Sequence, residues 1–152
     1  TARQMGATVE SLEEGIRVSM RGRPHPIRLE TGPYPEFPTD MQSVMMAAAS
    51  IADGTSRIQE NVFENRFCAA KELQKLGAHI IIENKLAVVD GVNALKGTRM
   101  TAEDLRGGAA LAVAALAADG TSFLDGYEHI SRGYEDIRSD LAGAGARISL
   151  IG

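Results

Sequence analysis

The sequence has no tryptophan, a single cysteine, and aromatic residues at only 5% of its 152 positions. A core without large rings must be filled by aliphatic side chains, alanine and methionine. Cys68 has no second cysteine with which to close an internal disulfide, so a reducing compartment is indicated and a cytoplasmic protein is expected. Basic charge is also scarce. A net charge of -4 and a pI near 5.4 exclude nucleic-acid binding through bulk electrostatics, while leaving room for a local arginine cluster that holds a small anion. The two longest uncharged runs, 41–52 and 107–118, are too short to cross a bilayer. Arg3, Glu10, Glu13 and Glu14 interrupt any leader-like apolar segment at the start. His25, His79 and His129 lack metal-ligand spacing, so no metal and no other cofactor is expected. The Gly107-Gly108 pair follows no strand with phosphate-loop spacing and reads as close helix packing.

What is present is a repeat. An apolar helical run ending in Asp-Gly-Thr-Ser occurs at 41–56 and again at 107–122. Ala48, Ala49, Ala52, Asp53, Gly54, Thr55 and Ser56 each match the residue 66 places later. The same offset sets Arg66 on Arg132 and Asp40 on Arg106. Thr39 and Gln42 are spaced as a capping box after Pro38, which predicts a helix from about Asp40 to Ala52. A strand is then expected over 56–60, a helix over 67–76 stopped by Gly77, and a hairpin of 79–83 and 86–90. The second copy predicts a helix over 104–118, a strand over 122–125, a helix over 134–143 and a strand over 147–151.

Met5-Gly6-Ala7, Leu76-Gly77-Ala78 and Ala144-Gly145-Ala146 repeat one helix stop. Residues 1–7 therefore read as the last turn of a helix, and 9–20 as two strands around Glu13-Glu14-Gly15, so the chain is expected to open inside a unit. All five prolines fall between Arg21 and Pro38, the longest stretch expected to be irregular. The units expected are 1–30 as the tail of one, 31–92 as a second and 93–152 as a third, about two and a third in all. Units that cannot cover their own apolar faces must pack on one another. The Ala- and Gly-rich helices are apolar nearly all round, which predicts an α/β fold with helices central and sheets outside.

Asp40 stands where a helix should begin. Its plain reading is a capping residue, and its functional reading is a general base or an anchor for a hydroxyl. Arg66, Arg106 and Arg132 lie at helix starts or just before them, where free N–H groups already favour anions and a guanidinium can bind phosphate or carboxylate in bidentate fashion. Surface salt bridging, with Glu64 and Glu135 as partners, is the alternative for any one arginine. Glu64 and Asp104 are placed to orient arginines. Cys68, beside Phe67 and two alanines, reads as a packed, inert thiol. Met41, Met45 and Met46 fit a buried helix face.

PYPEFPTDMQ (33–42), FENRF (63–67), LGA (76–78), DLR (104–106) and HISRGYEDI (129–137) together resemble the C-terminal part of the UDP-N-acetylglucosamine 1-carboxyvinyltransferase family. These are enolpyruvyl transferases that commit the sugar nucleotide to bacterial peptidoglycan synthesis, and thereby serve cell-wall growth, cell shape and division. The resemblance spans essentially the whole chain. It implies an inside-out α/β barrel of three helix-and-sheet units per domain, with UDP-N-acetylglucosamine and phosphoenolpyruvate as substrates and no membrane partner. It implies Asp40 as the base that receives the sugar hydroxyl's hydrogen bond, and Val62 as a main-chain contact to the uridine part. Arg106 and Arg132 would belong to the cluster around phosphoenolpyruvate, and Arg66 would line the same cleft.

The family's general acid lies in an N-terminal half with which nothing here aligns, so this polypeptide alone is expected to be inactive without that half. A noncatalytic module that keeps the fold, or a unit that completes its barrel by self-association, are the competing expectations.

Overall fold

The computed structural model describes residues 1–151; Gly152, the last residue of the third expected unit, lies outside them. A turn at the start leads into an antiparallel hairpin of β1 (Thr8–Leu12) and β2 (Gly15–Ser19), exposed along nearly its whole length. Next come β3 (Arg28–Glu30), a 3-10 turn at Thr39–Met41, α1 (Gln42–Ala49), β4 (Thr55–Gln59) and α2 (Ala69–Lys75). The hairpin of β5 (His79–Glu83) and β6 (Leu86–Asp90) follows. The remainder is β7 (Leu95–Lys96), β8 (Arg99–Thr101), α3 (Leu105–Ala117), β9 (Ala118–Asp119), β10 (Phe123–Asp125), α4 (Tyr127–Ile130) and α5 (Ile137–Gly143).

The main sheet has the order β3-β4-β6-β5, with β3 parallel to β4 and the other pairs antiparallel. Because side chains alternate along a strand, Leu29, Ser56, Ile58, Ala87, Val89 and Ile80 turn to one face and are buried. The opposite face is wet. Against the buried face lie α1 and α2, and α1, α2 and α3 pack on one another in a cluster that includes Met46, Leu73, Leu76, Leu95, Met100 and Leu111. Glycine lets α3 approach α4 closely: a Cβ at Gly108 would stand 2.6 Å from Ile130 Cγ1 and 2.9 Å from Ala102 Cβ.

The repeat is structural as well as textual. The parallel pair β3 and β4 brackets α1, and the parallel pair β8 and β10 brackets α3. Thr31 N donates to Gln59 O at 2.9 Å, and Ala102 N donates to Asp125 O at the same distance. The three expected helix stops share one geometry. Gly6, Gly77 and Gly145 have φ of 94, 94 and 98°. The following alanine donates five residues back in each case, Ala7 to Ala2 at 3.1 Å, Ala78 to Leu73 at 3.1 Å and Ala146 to Leu141 at 3.0 Å. This is the double-bonded stop that a left-handed glycine permits.

Several expectations need correction. Thr39 forms no capping box: its hydroxyl donates to Glu60, and no side chain caps the 3-10 turn or α1. The helix is shorter than expected, Gln42–Ala49. No strand forms at 147–151, which finds no partner strand among the described residues. The stretch from Arg21 to Pro38 contains β3, and it is tied down by Arg23, whose guanidinium donates to the carbonyls of Ile51 at 3.1 Å and Val92 at 3.0 Å.

Candidate active site

Asp40 lies inside the 3-10 turn that opens α1, and its side chain does not cap a helix. Its Oδ1 accepts from Arg66 Nη2 at 2.7 Å and its Oδ2 from Arg106 Nη2 at 2.8 Å. The two residues that the repeat superimposes, 66 positions apart, are therefore bonded to each other. They meet because α1 and α3 occupy equivalent places in the two copies of the sequence repeat and pack side by side, which brings their N-terminal ends together. The cap of α3 is Asp104, whose Oδ1 accepts from Arg106 N at 2.9 Å and Gly107 N at 2.8 Å. Asp104 orients Arg106 through its backbone, and Arg66 pairs with Asp40 in place of the expected Glu64.

The electrostatics follow from these contacts. The hydrogen bonds that Arg106 donates to the Asp40 carboxylate and to the Tyr134 phenol oxygen raise its guanidinium above its ordinary value, so it is charged at any working pH. Arg66 lies over the Phe63 ring, 4.8 Å from its centroid, a cation–π contact that fixes the side chain from the other side. Each arginine spends only Nη2 on Asp40. A guanidinium has five N–H donors, so both retain donors for an incoming anion.

Arg132 is exposed and has no side-chain hydrogen bond or ion pair among the described residues. It lies in the loop after α4, between Ile130, which packs on Gly108, and Tyr134, which reaches Arg106. Val62 is exposed, and its N–H is already committed to Glu60 Oε1 at 2.8 Å. Cys68 is exposed at the start of α2, contrary to the packed thiol expected. Met46 is fully buried, whereas Met41 is 44% exposed.

Glu60 went unnoticed in the sequence. It is 1% exposed, and its carboxylate accepts from Thr39 Oγ1 at 2.8 Å, Val62 N at 2.8 Å and Phe63 N at 3.0 Å. Burial pushes this carboxyl up, but the bonds from Phe63, Thr39, Val62 and the Thr31 hydroxyl together hold it below its ordinary value. The signal was available: Ser56, Ile58 and Glu60 share one parity along the strand, so the alternation that buries the first two buries the third. No group of three or more His, Cys, Asp or Glu among the described residues is placed to hold a metal ion.

Residues 1–141 match the family model for EPSP synthase (3-phosphoshikimate 1-carboxyvinyltransferase). The chain belongs to this family of enolpyruvyl transferases. Within the family, a UDP-N-acetylglucosamine 1-carboxyvinyltransferase of Anaeromyxobacter sp. strain Fw109-5 is 51% identical over 146 residues, which is 96% of this chain and 35% of that protein. Among solved structures, the enolpyruvyl transferase NikO of Streptomyces tendae superposes with a TM-score of 0.87 at 32% identity, over 97% of this chain and 34% of that one. An EPSP synthase of Acinetobacter baumannii, 18% identical, superposes with a TM-score of 0.67 over 99% of this chain and 35% of its own, and shares the fold. The chain thus spans about a third of the length of the relatives it first matches. No helix among the described residues is long and apolar enough to cross a membrane.

Proposed function

We propose that this chain is two and a third units of an inside-out enolpyruvyl transferase barrel and carries one wall of an active site. That site transfers the enolpyruvyl group of phosphoenolpyruvate to the 3-hydroxyl of UDP-N-acetylglucosamine and releases phosphate. The observation that supports this most is the Asp40 carboxylate held between two guanidinium groups of adjacent units, in a chain half-identical to proteins named for that reaction. Phosphoenolpyruvate brings a phosphate and a carboxylate. Arg66 and Arg106 would meet them with the donors that Asp40 leaves free, and Arg132, exposed on the neighbouring loop, would add a third cation. Charge that builds up in the tetrahedral adduct is then stabilised by groups that need not reorganise. Asp40 would receive the sugar hydroxyl's proton, with placement supplying much of its effect. Val62 would contact the uridine through its carbonyl, since Glu60 already holds its N–H. No metal or cofactor enters this scheme, and the general acid is assigned to the N-terminal half of the longer relatives.

Titration of the 15N-labelled chain with UDP-N-acetylglucosamine plus phosphoenolpyruvate tests the reading. Saturable shifts at Val62, Arg66 and Arg106, absent with 3-phosphoshikimate, are expected. Equal response to 3-phosphoshikimate, or no response at these residues, would refute it. Phosphate release by the chain alone is expected to stay at the blank.

A further inference from the structure

Asp40 and Arg66 are 26 residues apart in sequence, yet a closed circuit of contacts joins them. From Asp40 the chain steps to Thr39, whose hydroxyl donates to Glu60 Oε2 at 2.8 Å. The other oxygen of the same carboxylate accepts from Phe63 N at 3.0 Å and Val62 N at 2.8 Å. The Phe63 ring carries the Arg66 guanidinium at 4.8 Å, and Arg66 returns to Asp40 at 2.7 Å. On the far side, Thr31 Oγ1 accepts from Asn61 N at 3.0 Å, so the root of the loop is pinned as well. Three of these contacts converge on one side chain, and Glu60 is wholly buried, as is Thr31 at the root of the loop. Asp40 is half exposed and the loop residues 61–65 are exposed, so packing holds neither in place. A buried carboxylate is costly unless its oxygens are occupied, and that cost enforces the arrangement that satisfies it.

We propose that Glu60 is a positioning residue. Through the Thr39 hydroxyl and the amides of Val62 and Phe63, it sets the turn that carries Asp40 and the loop that carries Arg66 and Val62 as one rigid piece. Its role as a catalytic aid rests on the function proposed above, but the coupling itself does not. It makes no contact with reacting atoms. Of the bonds that Glu60 accepts, the one that reaches the Asp40 turn comes from Thr39.

The test uses the full chain without ligand, so that failure of the coupling is separable from failure of the substrate reading. The readout is the Arg66 Nε–H resonance, slow to exchange while the guanidinium is held. The Arg99 signal, from a pair with Asp125 at 3.0 Å in the second copy of the repeat, serves as internal control. Thr39→Val keeps the side-chain shape and removes the crossing hydroxyl, Thr39→Ser restores it, and Glu60→Gln keeps an acceptor for the amides but cannot accept the hydroxyl at its nitrogen. Arg66 exchange is expected to rise about tenfold or more in Thr39→Val and Glu60→Gln, the scale of a lost hydrogen bond to a charged acceptor. Thr39→Ser is expected to return it to the parent rate, with Arg99 unmoved throughout. Parent-like Arg66 exchange in Thr39→Val would overturn the proposal, as would a loss that Thr39→Ser does not reverse. Should Glu60→Gln fail to fold, the Thr39 pair decides.

Discussion

At the scale of single residues, the site is a carboxylate shared by two arginines, and its value is geometric more than energetic. Asp40 is half exposed, and each exposed ion pair contributes about 0–1 kcal/mol. Asp40→Ala should therefore change the urea midpoint little, while abolishing the substrate-dependent shifts at Arg66 and Arg106. A large loss of stability would mean that Asp40 is chiefly a structural anchor. Glu60 behaves in the opposite way. Its folded carboxyl titrates below the ordinary 4.5, so the stability it supplies is fully present above that value and is lost as pH falls through the lowered folded one. Unfolding free energy measured by urea at pH 6, 4.5 and 3 should fall on acidification in the parent, and fall less steeply in Glu60→Gln. That arginines at or just before helix starts are placed to meet a carboxylate was legible, because position and chemistry agree there, and Arg66 and Arg106 do meet one. That Asp40 joins them was not, since a carboxylate before a helix reads first as a cap, and only the packing of α1 on α3 shows otherwise.

At the scale of elements, strongly punctuated features were readable and weakly punctuated ones were not. The β5–β6 hairpin and the three glycine stops carry their own instructions: alternation with a polar turn in one case, a residue free to adopt positive φ in the other. β3, β7, β8 and β9 are two or three residues long and pair in parallel, so their existence depends on partners far away in sequence. A strand at 147–151 was expected by analogy with its repeat mate, and no partner strand answers it among the described residues. The stops offer a clean measurement. A Cβ at Gly77 would meet nothing within 4 Å, so Gly77→Ala should cost only the backbone strain of φ 94°, about 1–2 kcal/mol. Denaturant titration showing no loss would mean that the stop relaxes to another conformation.

At the scale of the whole molecule, the site exists because two copies of one unit are pressed together. Asp40 and Arg66 come from one copy and are joined within it through Glu60, whereas Arg106 comes from the other and reaches Asp40 across the α1–α3 contact. Met46 is fully buried in α1 and belongs to the cluster that holds α1, α2 and α3 together. Met46→Ala should cost about 2–5 kcal/mol by leaving a cavity that the surrounding helices fill incompletely. The loss should not fall evenly on the site. Loosening the contact between copies should speed exchange at the Arg106 side chain before it affects Arg66, which the local circuit holds independently of that contact. Side-chain exchange measured for both arginines in the Met46→Ala chain checks this. If the two quicken together, the carboxylate and its arginines respond as one body, and the division of the site between two copies has no mechanical consequence.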